Sequence, residues 1–260
     1  MRLYGKYLRM VIRSALQYRL AVWLVIAGQF LVSFLIYFGM VLMFRRFGGL
    51  DGWSFAEVAL CFGVAHVAFA VSECLSRGFD MFPRMVVSGD FDRILLRPRA
   101  TALQVLGSGF EITRIGNLLQ GGLVLVFAVS GLDTVWSAGK VATLVFMVLG
   151  GIGVFCGIFI LGATMSFFTV QGLEFINIFT NGGQEMASYP LTIYSKWLTR
   201  FFTFVIPFGC MNYLPLLYLT GRVDSHPVLY MAAPFLGILF LVPCLWVWSL
   251  GVRRYASTGS

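Results

Sequence analysis

Charge is scarce in this chain. Of its 260 residues only 12% are Asp, Glu, Lys or Arg, 59% are hydrophobic, and mean hydropathy is +0.86. A soluble domain carries about 25% charged and about 45–50% apolar residues, so the polar surface is too small to cover a water-facing globule of this length. Histidine occurs only at His66 and His226, and the five cysteines (Cys61, Cys74, Cys156, Cys210, Cys244) form no CxxC pair. That argues against a zinc site, a bis-His haem and a disulfide framework, and leaves the thiols as small apolar core residues. No phosphate-cradling GxxxxGK[ST] loop is present: the Gly-Lys pairs, Gly5-Lys6 and Gly139-Lys140, are followed by Tyr7 and Val141. GxSxG and HExxH are missing too, and Ser72 and His66 stand six residues apart, on different faces of a helix. The net charge of +8 therefore bears on membrane sidedness and not on nucleic acid.

What the chain has in abundance is apolar runs. A helix crosses about 30 Å of hydrocarbon with about 20 apolar residues. Six stretches qualify: 20–44, 55–75, 115–135, 141–166, 167–183 and 228–250. The first and fourth are uncharged. The fifth is the weakest, interrupted by Glu174 and Asn177, and the last contains Pro234 and Pro243. Six crossings put both termini on one side. Thirteen of the nineteen Lys and Arg residues then fall on the terminal side, which the positive-inside rule assigns to the cytoplasm; Arg45 and Arg46 run against the trend. Arg2, Lys6, Arg9 and Arg13 follow i, i+4, i+7, i+11. Residues 1–19 thus read as an amphipathic helix on the inner leaflet, or more simply as a basic anchor for the first crossing.

One polar island breaks the apolar chain: SGDFDRILLRPR, residues 88–99. Phe91, Ile94 and Leu95 recur at i, i+3, i+4 among Asp90, Asp92, Arg93 and Arg97, the pattern of a short amphipathic helix. Asp90 sits at its N-cap or first turn, and Pro98 stops it. A second helical stretch, 102–106, leads to the third crossing. A bare connection between spans needs about two to eight residues, and this one runs over 76–114. The region reads either as a solvated surface loop or, given its apolar face, as a docking surface for a soluble partner.

The segment VVSGDFDRILLRPRATALQVL (86–106) resembles the stretch after the second span in permease subunits of ABC-2-type ATP-binding cassette exporters. Their G-x-(F/L)-D-x-x-L-x-(R/K)-P pattern is matched by Gly89, Phe91, Asp92, Leu95, Arg97 and Pro98. YPLTIYSKWLTRFFTFVIPFGCMNYLPLLYLTG (189–221) is similar to the family's segment before the last span. The resemblance implies an all-α integral membrane protein of six transmembrane helices in a single domain over 1–260. It would have an interfacial helix over 1–19, a cytoplasmic coupling region over 76–114 and an extracytoplasmic re-entrant segment over 184–226. It implies a separate ATPase dimer that holds ATP and Mg, none being bound by this chain, and a second permease, identical or a homologous six-span subunit. It implies the bacterial plasma (inner) membrane, both termini cytoplasmic, and ATPase contact through Gly89, Asp90, Phe91, Asp92, Arg93, Leu95, Arg97 and Pro98.

Polar residues inside a span mark function or pairing. Glu73 and Arg77, at i, i+4, are expected to pair near the inner surface, and Glu57 to be interfacial. Glu174, Asn177, Asn181 and Gln184 follow i, i+3, i+7, i+10, a polar stripe on the fifth span. With His66, the residues Glu174, Asn177 and Asn181 are assigned to a substrate pathway, the alternative being polar contacts between spans. The segment 189–221, with Pro190, Tyr194, Arg200, Pro207 and Pro215, reads as a re-entrant cap or as a seventh span. No metal site and no catalytic residue is expected. The rival readings are an intramembrane protease or lipid-modifying enzyme, and a scaffold that transports nothing.

Overall fold

The structure, a computed structural model, describes residues 16–169, 172–223 and 226–255, with Gly5, Met10 and Ser14 as isolated positions before them. The interfacial helix expected over 1–19 lies mostly outside the described residues. Among those described the fold is helical, and the only β pairing is an isolated bridge between Leu50 and Trp53.

Helix α1 (Arg19–Phe47) is apolar all round and buries only Ile26, Ser33 and Met40, spaced by seven, so a narrow seam joins it to the rest. Gly48, left-handed at φ 74°, ends it. Helix α2 (Phe55–Asp80) starts on a capping box: the Glu57 amide donates to Ser54 Oγ at 3.3 Å, and the Ser54 amide donates to Glu57 Oε2 at 2.7 Å. It is the central helix, buried along most of its length. Three short helices follow, α3 (Phe82–Val87), α4 (Asp90–Leu95) and α5 (Thr101–Leu106). Then come α6 (Ile115–Gly131) and α7 (Ala138–Met165). Both pack on α2 through small residues: a Cβ on Gly63 would lie 2.9 Å from the Leu125 backbone, and one on Gly151 2.6 Å from Ala68 Cβ.

Helix α8 (Gly172–Ala187) lies on the fifth predicted crossing, 167–183, with its bounds moved toward the C-terminus. Phe167, before the helix, packs against Trp248 with ring centroids 5.4 Å apart. Its 16 residues reach about 24 Å, and the chain passes here from the island end, where Phe167 meets Trp248, to the hairpin at the other end. Five other helical stretches are long and apolar enough to cross: Arg19–Phe47, Phe55–Val87, Ile112–Gly131, Ala138–Met165 and Phe235–Arg254.

Between α8 and the last crossing, α9 (Lys196–Phe204) meets the pair formed by a π-turn (Gly209–Tyr213) and α10 (Leu214–Leu219) at an 86° bend. Just before α9, Thr192 Oγ1 accepts a 2.8 Å hydrogen bond from Trp53 Nε1, beside the start of α2. The bend packs deep: Phe208 lies 5.3 Å from Phe155, halfway down α7. At the end of α10, Leu219 O accepts from Thr134 Oγ1 at 3.0 Å, and just beyond it Arg222 meets Glu57 at 2.9 Å. The segment enters and leaves at the same end of the bundle, as a bent hairpin.

The final stretch is broken into α11 (Pro227–Ala232), α12 (Phe235–Leu239) and α13 (Leu241–Arg254). Pro234 removes an amide at the first break. Gly150 and Gly153 of α7 accept the exposed backbone closely, since a Cβ on either would lie 2.3 Å from Pro234 O or 2.6 Å from Gly237 O. Helix α13 finishes beside α5, where Trp248 Nε1 donates to Thr101 Oγ1 at 3.0 Å. At the same end, Arg114 reaches Gln29 in the first half of α1 at 3.4 Å. The start of α1, the end of α13 and the polar island therefore share one end of the molecule.

Candidate functional site

The island is built on the end of α2. Gly89, at φ 74°, makes the turn between α3 and α4. Ser88 Oγ donates to Asp90 Oδ2 at 2.7 Å, and Gln104 Nε2 donates to the Ile94 and Arg99 carbonyls at 3.2 and 3.1 Å, pinning the turn that Pro98 opens. The apolar face predicted from Phe91, Ile94 and Leu95 is divided. Phe91 and Ile94 are buried in the chain's own core, Phe91 standing 4.9 Å from Phe82 and 5.0 Å from Tyr255. Leu95 stays on the surface, joined by Leu96 at 86% exposure and by Leu103. Arg93, Arg97, Pro98 and Arg99 are exposed around them. Asp90 and Arg93 form an exposed pair at 3.7 Å, which contributes little by itself. Asp92 is half-buried and faces Tyr255, whose phenol is held above its ordinary pKa by shielding of the hydroxyl and then by that carboxylate. The free face is thus a leucine patch ringed by arginines. Leu96 was missed because helical periodicity groups Leu95 with Phe91, and the helix ends before Leu96 can join either face.

Beneath this face lies a linkage that the sequence did not reveal. The predicted Glu73–Arg77 pair does not form. Glu73 instead meets Arg114, at the foot of α6, at 3.0 Å, while Arg77 meets Glu111 at 3.2 Å and also pairs with Asp80. The Glu111 amide donates to Cys74 O at 3.3 Å, and Cys74 Sγ donates to Glu111 O at 3.2 Å. Helix α5 lies directly on α2 at Gly78, where a Cβ would stand 1.8 Å from Val105 O. Both ends of the island are therefore tied to α2, and the exit also to α6.

The second surface is on α8. Asn177 and Asn181 are exposed, with Ile178 at 64% exposure and Glu185 on the same side. Thr180 and Gly183 turn inward, and Gln184 is half-buried. The Glu174 side chain lies outside the described residues. His66 is not on this surface. It is buried, stacked on Phe62 at 3.8 Å and pressed against Gly121 of α6, because that glycine leaves room for an imidazole between the two helices.

The hairpin supplies a third feature. Pro190, Pro207 and Pro215 are buried, Tyr194 is half-buried and Arg200 is exposed. Its exit is closed by residues that sequence reasoning passed over. Glu57, predicted to be interfacial, is buried and accepts both from Arg222 at 2.9 Å and from its own cap. The Arg222 guanidinium also lies 4.2 Å over the Trp53 ring. Deeper in, Asn212 Nδ2 donates to Cys61 O at 3.0 Å and to Ala187 O, joining the hairpin to α2 and α8.

Residues 30–259 match the profile described as ABC-2 family transporter protein. The chain belongs to the ABC-2 transporter family. It is accordingly a multi-pass membrane protein with a permease role in transport. No curated protein and no solved structure matches it. The family match spans the island, α8 and the hairpin together.

Proposed function

We propose that this ABC-2 chain is the permease subunit of an ATP-driven exporter in a bacterial plasma membrane, with the island and both termini in the cytoplasm. A separate ABC ATPase dimer docks on the leucine-arginine face of the island and supplies the ATP and Mg chemistry. A second permease, a copy of this chain or a homologous six-span subunit, meets the α8 face, and the substrate passes between them along Glu174, Asn177 and Asn181.

The observation that carries this reading is the seat of the island. A flexible charged loop could not transmit force. Here Phe91 and Ile94 lock α4 into the core, Val105 lies on Gly78, and two ion pairs join the island's exit to α2 and α6. ATPase closure on Leu96, Arg97 and Arg99 would thus move α2 as a lever. The far end of α2 holds the hairpin through Glu57 and Arg222, so the same motion reaches the cap. An exposed polar stripe at Asn177 and Asn181 would be costly against lipid, and it is relieved when it lines a water-filled path or meets a partner.

The test is a cysteine at Leu96, cross-linked in membranes that contain the co-expressed ABC ATPase. A cross-link to the ATPase, lost with Arg97→Glu, is expected. Asn177→Leu with Asn181→Leu should abolish transport and leave that cross-link intact. Modification of the Leu96 cysteine by an impermeant maleimide only from the extracytoplasmic side would overturn the proposal.

A further inference from the structure

Two arginines contradict the charge bias. Arg45 and Arg46 close α1 at the end opposite the island, and neither has an ion-pair partner among the described residues. Asp51, the acid of the turn that follows, pairs with neither. Arg45 stands at the mouth of a groove of about 660 Å³ between α1, α6 and the 48–54 turn. Tyr37, Val41 and Phe44 form one wall, Phe127 of α6 faces them, and Trp53 lies at the inner edge. Gly48 and Gly49 leave the mouth without side chains. Tyr37 is eight residues before Arg45, about 12 Å down the helix axis. The groove therefore has a cationic entrance at the end of α1 and an aromatic trough running along that helix.

A neighbouring groove of about 610 Å³, between α6 and α7, serves as a comparison. It is lined by Leu125, Val126, Leu144 and their neighbours and has no charged residue. Size and greasiness are shared; Lys140 is held at the edge of the second groove by its hydrogen bond to Thr134, whereas Arg45 lines the mouth of the α1 groove with Arg46 next to it and no partner for either among the described residues. Two unpaired cations at a membrane surface attract anionic headgroups, and a trough of this shape accepts an acyl chain.

We propose that the groove between α1 and α6 is a binding site for one anionic phospholipid of the leaflet opposite the island. Its phosphate is held by Arg45 and Arg46, and one acyl chain lies along Tyr37, Val41 and Phe44 against Phe127. Trp53 joins this site to the hairpin, since the same indole donates to Thr192 and carries Arg222 on its face. The site is distinct from the α8 surface and depends only on the chain's setting in a bilayer.

The full-length chain in nanodiscs of phosphatidylcholine and phosphatidylglycerol, with a trace of phosphatidylglycerol bearing a diazirine on its acyl chain, provides the test. Adducts are mapped by peptide mass spectrometry after illumination. Labelling of Tyr37, Phe44 and Phe127 should exceed labelling of Trp23, Leu24 and Leu31, which are exposed on α1 outside the groove. Arg45→Gln with Arg46→Gln should lower the groove adducts about tenfold, while the double lysine variant retains them. Val41→Trp should block labelling at Tyr37 with both arginines in place. The same probe built on phosphatidylcholine should show no enrichment. Adducts spread evenly over α1, or groove adducts that survive the double glutamine variant, would overturn the assignment.

Discussion

The seat of the island makes a quantitative demand on Gly78. A Cβ placed there would stand 1.8 Å from Val105 O, 2.7 Å from Ser108 Oγ and 2.8 Å from Val105 C, whereas ordinary contact begins at 3.4 Å. Ser108 can rotate, but a backbone carbonyl can retreat only if α5 moves. Closing the deficit needs a shift of about 1.6 Å, the difference between 3.4 and 1.8 Å. Such a shift would stretch the Trp248–Thr101 bond, now 3.0 Å, and the two bonds from Gln104. Overpacking of this kind costs about 1–3 kcal/mol, and a backbone clash places Gly78→Ala toward the upper end. Helix propensity acts the other way by up to about 1 kcal/mol. Gly122, in α6 with nothing within 4 Å of its would-be Cβ, isolates that opposing effect. Gly78→Ala should lower the thermal unfolding midpoint in detergent and widen the spin-label distance between Leu103→Cys on the island and Val135→Cys at the other end. Gly122→Ala should leave both unchanged or raise the midpoint slightly. Equal behaviour of the two variants would refute the claim that α5 rests on the α2 backbone.

Two further predictions concern the hairpin. Glu57→Gln should destabilise the chain by about 1–3 kcal/mol in detergent unfolding, since Glu57 is buried but Arg222 remains partly solvated; adding Arg222→Gln should recover part of that loss, because no unpaired charge is then left behind. Asn212→Ala strips the hydrogen bonds from Cys61 O and Ala187 O and should cost about 1–3 kcal/mol, seen together with faster amide exchange in α8.

The parts of the fold legible in the sequence were those set by local composition. The uncharged runs of α1 and α7 can satisfy their backbones in lipid only as helices, and their position followed from hydropathy. The turn at Gly89, the helix Asp90–Leu95 and its stop at Pro98 followed from short-range turn and cap chemistry. The bounds of the fifth crossing moved, α8 running on to Ala187, and hydropathy does not register a contact such as that of Phe167 with Trp248, a residue from the last helix. The Glu73–Arg77 pair failed for a similar reason: spacing along one helix identifies neighbours on its face, but Arg114 and Glu111 arrive from another segment and offer better partners. The latch of Trp53, Glu57 and Arg222 left no local signal, since its members belong to segments far apart in the chain.

Composition alone determined that this chain lives in a bilayer as a bundle of helices and that its charged island stands apart from the spans, because a backbone in hydrocarbon has no other way to satisfy its hydrogen bonds. Tertiary structure decided which side of each helix is free. It placed His66 between helices and left Asn177 exposed, and it drew Phe91 inward while Leu96 stayed outside. It also seated α5 on Gly78. These outcomes depend on close approaches between segments distant in sequence, where one missing side chain admits a neighbour's backbone, and no pattern within a single segment encodes which neighbour that will be.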